Sequence, residues 1–122
     1  MQEPIQRPWG YFQVYKKAKT HLIKKIVVKP MQRLSLQSHK YRAEQWILVS
    51  GKGKAEVGKK RNELVSFALE KGTIIDIEKK EIHRLSNTSK KVDLVILEVQ
   101  TGEKFLEKDI VRYEDDYDRT GQ

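Results

Sequence analysis

The chain has 122 residues, no cysteine, 34% charged and 38% hydrophobic residues, and a formal net charge of +8. That length suits one domain, residues 1–122, around a single core, and the missing thiols exclude a disulfide framework and a thiolate metal site. No apolar run reaches membrane-span length and residues 1–10 lack a signal-peptide core, so a cytoplasmic protein with no membrane partner is expected.

Arg7-Pro8-Trp9-Gly10 opens the domain, its proline and glycine bracketing an aromatic suited to the core. Residues 11–15 read as a strand, Thr20-His21 as a turn, and 22–28 as an apolar strand that Pro30 stops. In the extended run 34–39, Ser35, Gln37 and His39 share one face and Leu34 and Leu36 the other. Residues 40–43 are poor strand material and read as a break. After it, Glu44, Trp46 and Leu48 share one face of a run that ends at Ser50-Gly51. Gly51-Lys52-Gly53 signals a hairpin into a short strand at 54–57, and 58–62 turns the chain again. The length and Val/Phe content of 63–69 favour strand, and 73–77 is β-branched and extended. A charged connection at 78–81 leads to a strand at 82–85 that carries His83. A turn at 87–91 then precedes the long apolar strand 92–99. The acidic tail, 103–122, is expected to form a turn of helix near 105–110 and to run along the surface. Roughly nine short strands with frequent turn signals predict an all-β sandwich or barrel.

The positive charge raises the question of nucleic acid, but its distribution argues against such a partner. Lysine doublets such as Lys16-Lys17, Lys24-Lys25 and Lys90-Lys91 fall mostly at turns and strand edges, where they solubilise and block edge pairing, and no basic helix is present. Trp46, an aromatic on an inward strand face, reads as core. Gln37, His39 and Glu44 come from neighbouring runs and bring nitrogen and oxygen donors within reach of one cation; His83 supplies a fourth donor. Such a set suits Zn, Fe, Mn, Co or Ni without choosing among them.

Seven segments in order then carry a resemblance: RPWG at 7–10, LSLQ-x-H at 34–39, R-x-E-x-W at 42–46, VSG at 49–51, HRL-x-N at 83–87, EVQ-x-G at 98–102 and DIVR at 109–112. They resemble the cupin superfamily and, within it, the type II mannose-6-phosphate isomerase domain. In many bacteria that domain is the C-terminal part of a bifunctional mannose-1-phosphate guanylyltransferase/isomerase. The resemblance implies an all-β, jelly-roll-like cupin barrel with a short C-terminal tail. It implies a divalent metal on Gln37, His39, Glu44 and His83, zinc first and Co, Mn, Ni or Fe as alternatives. It also implies interconversion of mannose 6-phosphate and fructose 6-phosphate for polysaccharide precursors. The chain departs from the family pattern at Met31, Lys80 and Asp118, where glycine is usual, at Glu78 in place of proline, and at Lys108 in place of aspartate. It shows no glycine-rich nucleotide loop, so guanylyltransferase chemistry is not expected of these residues.

Aldose–ketose isomerisation moves a proton between C2 and C1 through an enediolate, and needs a base, an oxyanion stabiliser and a grip on the phosphate. Arg42, Arg84 and Arg112 are the candidates for the phosphate, although strand alternation turns Arg84 away from its neighbour His83. Arg42, placed in the break, is free to reach the mouth of the barrel. Glu98, at the end of a stripe shared with Leu94 and Ile96, is the candidate base, with Glu107 and Asp109 behind it. The alternative is a non-catalytic metal-binding cupin that recognises a sugar or sugar nucleotide. A homodimer is expected, with the apolar run 26–28 as its contact.

Overall fold

The computed structural model describes residues 2–119, so the last three residues of the tail, 120–122, lie outside the described residues. The described residues form eleven strands, β1 (Ile5–Arg7), β2 (Gly10–Lys17), β3 (His21–Val28), β4 (Leu36–Ser38), β5 (Arg42–Ser50), β6 (Gly53–Gly58), β7 (Val65–Leu69), β8 (Ile74–Ile77), β9 (Ile82–Asn87), β10 (Leu94–Gly102) and β11 (Val111–Glu114), with period-two burial clearest on β2, β5, β6 and β10. They form two antiparallel sheets, ordered β1-β2-β3-β10-β5-β8 and β11-β4-β9-β6-β7, and no helix occurs among the described residues. The sheets face one another without closing into a continuous barrel, a cupin-like version of the expected architecture.

The inward stripes change character along their length, and this places the site. On β10, Leu94 and Ile96 are fully buried, and Glu98 and Gln100 continue the same face. The antiparallel neighbours carry the same switch: Glu98 stands opposite Trp46 of β5 and Lys24 of β3, and Gln100 opposite Glu44. In the facing sheet, Leu85 of β9 pairs with Ala55 of β6, and His83 with Val57. One end of the space between the sheets is therefore hydrocarbon, and the other collects ionisable groups. Burial of Trp46, Leu48, Leu85, Leu94 and Ile96 (each at most 2% exposed) anchors the apolar end.

Several local expectations change. Gly51-Lys52-Gly53 is a crossover between sheets rather than a hairpin, since β5 pairs with β10 and β8 while β6 pairs with β7 and β9. Gly51 has φ +92, and a side chain there would stand 2.4 Å from the carbonyl oxygen of Asp93, so the crossing requires glycine. Likewise β4 and β5 belong to different sheets, and β5 begins at Arg42, inside the expected break. The stretch 105–110 forms a turn closed by the Asp109 amide on the Leu106 carbonyl, not a helical turn. The run Ile26, Val27 and Val28 is buried in β3 between β2 and β10, so it is not the exposed contact expected of it.

The tail is bound firmly. Arg33 forks onto Asp116 at 2.7 and 2.9 Å, and Arg84 and Arg61 both reach Glu114. The three places where the chain lacks a family glycine, Met31, Lys80 and Asp118, are its only described non-glycine residues at positive φ (60, 70 and 61). The left-handed backbone is kept although the residue that favours it is absent. Met31 is 57% exposed, so its side chain adds little packing. Met31→Gly should therefore raise stability by about 0.5–1 kcal/mol in urea unfolding, relief of strain exceeding the entropy cost of glycine. A loss of stability would contradict the left-handed assignment.

Candidate metal centre

His39, just past β4, and His83, on β9, approach Glu44 on β5 from the opposite sheet. One ligand atom from each of the three lies within 4.8 Å of the others, and all three residues are buried. The Nε2 atom of His39 is 3.3 Å from Glu44 Oε2, and that of His83 is 3.6 Å from Glu44 Oε1. The other ring nitrogens are fixed by backbone: Nδ1 of His39 lies 2.7 Å from the Asp109 carbonyl, and Nδ1 of His83 2.9 Å from the Glu81 carbonyl. Each Nδ1–H donates outward, so each Nε2 lone pair points inward, the arrangement that orients metal-ligating histidines. The turn before β9 serves both rings: it supplies the Glu81 carbonyl, and the Lys80 amide donates to the His39 carbonyl at 2.7 Å.

The donor set fits a divalent cation. His83 Nε2 is buried without a hydrogen-bond partner, a costly state that a bound cation relieves. The donors already gather one positive group: the Arg42 guanidinium lies 3.1 Å from Glu44 Oε2 and 3.2 Å from His39 Nε2, and also donates to the Leu106 carbonyl at 3.3 Å. Gln37 is buried on β4 opposite His83 and lines the same cavity as His39 and Glu44.

Burial, then Arg42 and His83, depress the His39 pKa from 6.5 to about 3, so its imidazole is neutral. Burial works to raise the Glu44 carboxyl, but the positive charge around it, Arg42 and Lys24 among it, outweighs that effect and holds it below the usual carboxylate range. Because His39 binds its proton more weakly folded than unfolded, its contribution to the stability of the metal-free protein is complete above about pH 6.5 and is lost as pH falls toward 3. The loss from this group is about 1.4 kcal/mol per pH unit within that window. Urea unfolding of chelator-treated protein between pH 7 and 4 should show this decline, and His39→Gln should flatten it; equal slopes would refute the assignment.

Beside the ligands stands a second carboxylate. Glu98 Oε1 accepts from the Trp46 indole at 3.0 Å, and the same N–H reaches Glu44 Oε1 at 3.2 Å. Glu98 Oε2 accepts from Gln100 at 2.7 Å and lies 3.4 Å from Lys24 Nζ. Trp46 is core, and its N–H also spaces the two acids. Lys24 belongs to a doublet expected at the surface, yet it turns inward over the Phe12 ring, 4.4 Å from its centroid. Alternation with Leu22 and Ile26 on the inward face was the signal that could have found it. All these groups line a cavity of about 460 Å³, within the range of small-molecule sites.

The remaining expected residues divide. Arg42 is inside, tied to the ligands rather than loose at the mouth. Arg112, on β11, lines the cavity. Arg84 lies on the other face of its sheet, donating to the Leu34 carbonyl and to Glu114. Asp109 uses its carboxylate on the amides of Lys40 and Tyr41 at 3.0 Å each, while Glu107 is exposed beside Arg7.

Two facing antiparallel sheets with histidines and a carboxylate converging between them define a cupin with a candidate metal centre. More narrowly, the chain belongs to the mannose-6-phosphate isomerase C-terminal family, whose model matches residues 1–115. It is 40% identical over 116 residues to the xanthan biosynthesis protein XanB of Xanthomonas campestris pv. campestris, covering 95% of this chain and 24% of that protein. It is also 40% identical over 118 residues to the alginate biosynthesis protein AlgA of Pseudomonas aeruginosa, covering 97% of this chain and 23% of the relative. The chain thus spans about a quarter of these curated relatives. Among solved structures, the capsular polysaccharide assembling protein CapF of Staphylococcus aureus superposes with a TM-score of 0.78 at 21% identity, over 92% of this chain and 34% of that one, a likeness of fold. No helix among the described residues is long and apolar enough to cross a membrane.

Proposed function

We propose that this domain is a metal-dependent aldose–ketose isomerase that interconverts mannose 6-phosphate and fructose 6-phosphate. The observation that carries this reading is the division of labour between two buried carboxylates in one cavity. Glu44 is committed to the histidines, whereas Glu98 stands apart from them, fixed by Trp46, Gln100 and Lys24. A divalent cation on His39, Glu44, His83 and Gln37, zinc being the first to try, supplies Lewis-acid polarisation of the sugar oxygens. Glu98 then takes the C2 proton and returns it to C1 while the O2 hydroxyl proton passes to O1, and the Lys24 ammonium supports the Glu98 charge before that transfer. Arg42 holds Glu44 in place and offers its guanidinium to a developing oxyanion. Membership of the isomerase family supports the substrate, and the biosynthetic names of XanB and AlgA support a role in supplying polysaccharide precursors. The deciding assay loads the protein with Zn, Co or Mn and follows fructose 6-phosphate formed from mannose 6-phosphate. Turnover abolished by chelator and restored by metal is the expected result; tight binding without turnover would instead favour a metal-dependent sugar-binding module.

A further inference from the structure

Each sheet has two edge strands, and three of the four carry charge that discourages the addition of a further strand. Arg7 lies on β1, Asp76 on β8, and Arg112 and Glu114 on β11. The fourth, β7, has the sequence VSFAL, with neither charge nor proline. It pairs with β6 alone, so its other side has no strand beside it among the described residues. Four of its five residues are exposed, Val65 at 56% and Phe67 at 41% among them.

That exposure has a structural cause. Val65 and Phe67 stand opposite Val57 and Ala55, both buried, so they project from the inner face of their sheet. The facing sheet ends nearby at β8, where Ile75 stands beside Trp46 on the inner face. Between the two edges lies an apolar cleft lined by Val57, Val65, Phe67, Ile74 and Ile75. The sandwich is therefore open along this flank, and side chains of core type meet solvent there. The cleft shares no lining residue with the metal cavity.

We propose that a second copy of this chain covers the flank, β7 pairing antiparallel with its counterpart about a two-fold axis through Phe67. Positions equidistant from Phe67 then face each other. Phe67 meets the partner's Phe67, and Val65 meets the partner's Leu69, all on the inner face. Just beyond the strand, Glu63 stands opposite the partner's Lys71, and Lys71 opposite the partner's Glu63. Both are exposed, and neither has an ion pair among the described residues. The edge is thus complementary to itself, apolar at the centre and oppositely charged at its two ends, as an isologous contact requires. A slip of one residue would set Phe67 against Ser66 or Ala68, which face the other way, and would part both charge pairs. Strands this short make a small contact, so the dimer is a weak and reversible one. The inference does not depend on the isomerase reading.

Sedimentation equilibrium of the full chain, from about one to several hundred micromolar, tests this. Wild type should associate reversibly to a dimer and no further. Phe67→Lys sets like charges against each other at the axis and should weaken association about tenfold or more. Phe67 is already 41% exposed, so the variant should still fold, which its urea transition reports. Glu63→Lys and Lys71→Glu should each weaken the dimer about threefold or more, and the double variant, which exchanges the two charges, should restore it. These surface changes test the contact even where Phe67→Lys disturbs the fold. Val92→Lys, at an apolar position of similar exposure in the turn before β10, should leave association unchanged. A wild type that stays monomeric throughout would overturn the proposal and leave the flank to some other chain. A dimer that a folded Phe67→Lys variant keeps, a double variant no tighter than the single ones, or an equal loss in Val92→Lys would overturn it as well.

Discussion

His83→Ala is expected to lower metal affinity by more than about a hundredfold while leaving the protein folded. Loss of an outer-shell partner alone costs ten- to a hundredfold, and His83 offers its lone pair directly. His83 separates metal binding from folding better than the other ligands do. Its Nε2 has no partner in the metal-free protein, so truncation removes an uncompensated buried nitrogen along with some packing against Trp46 at 5.6 Å. Removing Glu44 instead would leave the Arg42 guanidinium, 8% exposed, without its carboxylate, and the resulting loss of stability would mask the metal effect. Two measurements check the prediction. Elemental analysis after dialysis should find metal in the wild type and none in the variant. In urea unfolding, wild type should gain about 2.7 kcal/mol at a metal concentration a hundred times its Kd, and the variant nothing. Equal stoichiometry and equal stabilisation would dispose of the proposed centre.

Alternation made much of this legible. The inward faces of 34–39 and 44–48 and the strand at His83 are local patterns, and His39, Glu44 and His83, which they nominate, do converge. What alternation does not carry is which sheet a strand joins. A glycine turn such as Gly51-Lys52-Gly53 has the same chemistry whether it closes a hairpin or crosses between sheets, and only the packing of Asp93 against Gly51 distinguishes them. The short edge strands β1 and β11 have little apolar pattern, because partners on one side supply their order. Lys24 was obscured by its doublet. On a strand, adjacent lysines face opposite ways, and the fold sends Lys24 to Glu98 while Lys25 lies over Tyr11. Arg42 was obscured by the poor strand propensity of its neighbours, which pairing with Gly102 of β10 overrides. The mouth was the hardest part to read, because Arg7 and Arg119 lie 112 positions apart and only the fold shows that they line the same cavity.

Glu98→Gln is expected to lower kcat for mannose 6-phosphate by about a hundred- to ten-thousandfold, the range of general-base contributions, with little change in KM and full metal content. The substitution keeps shape and volume. The amide oxygen still accepts from the Trp46 indole, and Gln100 can rotate its amide to meet the new NH2 group. What disappears is the ability to take a proton and the charge that Lys24 offsets at 3.4 Å. Exchange of the C2 proton with deuterium from solvent provides a second measure, because it reports proton abstraction even when ketose formation is limited elsewhere. Glu98→Gln should lose exchange and turnover together. Near-normal turnover and exchange would make Glu98 a structural acceptor for Trp46 and Gln100. The base would then have to be Glu107, since Asp109 spends its carboxylate on the amides of Lys40 and Tyr41. Loss of metal from the variant would carry a different meaning: the two carboxylates, joined through one indole N–H, would form a single unit supporting the ligands, and the division of labour that carries the isomerase reading would fail.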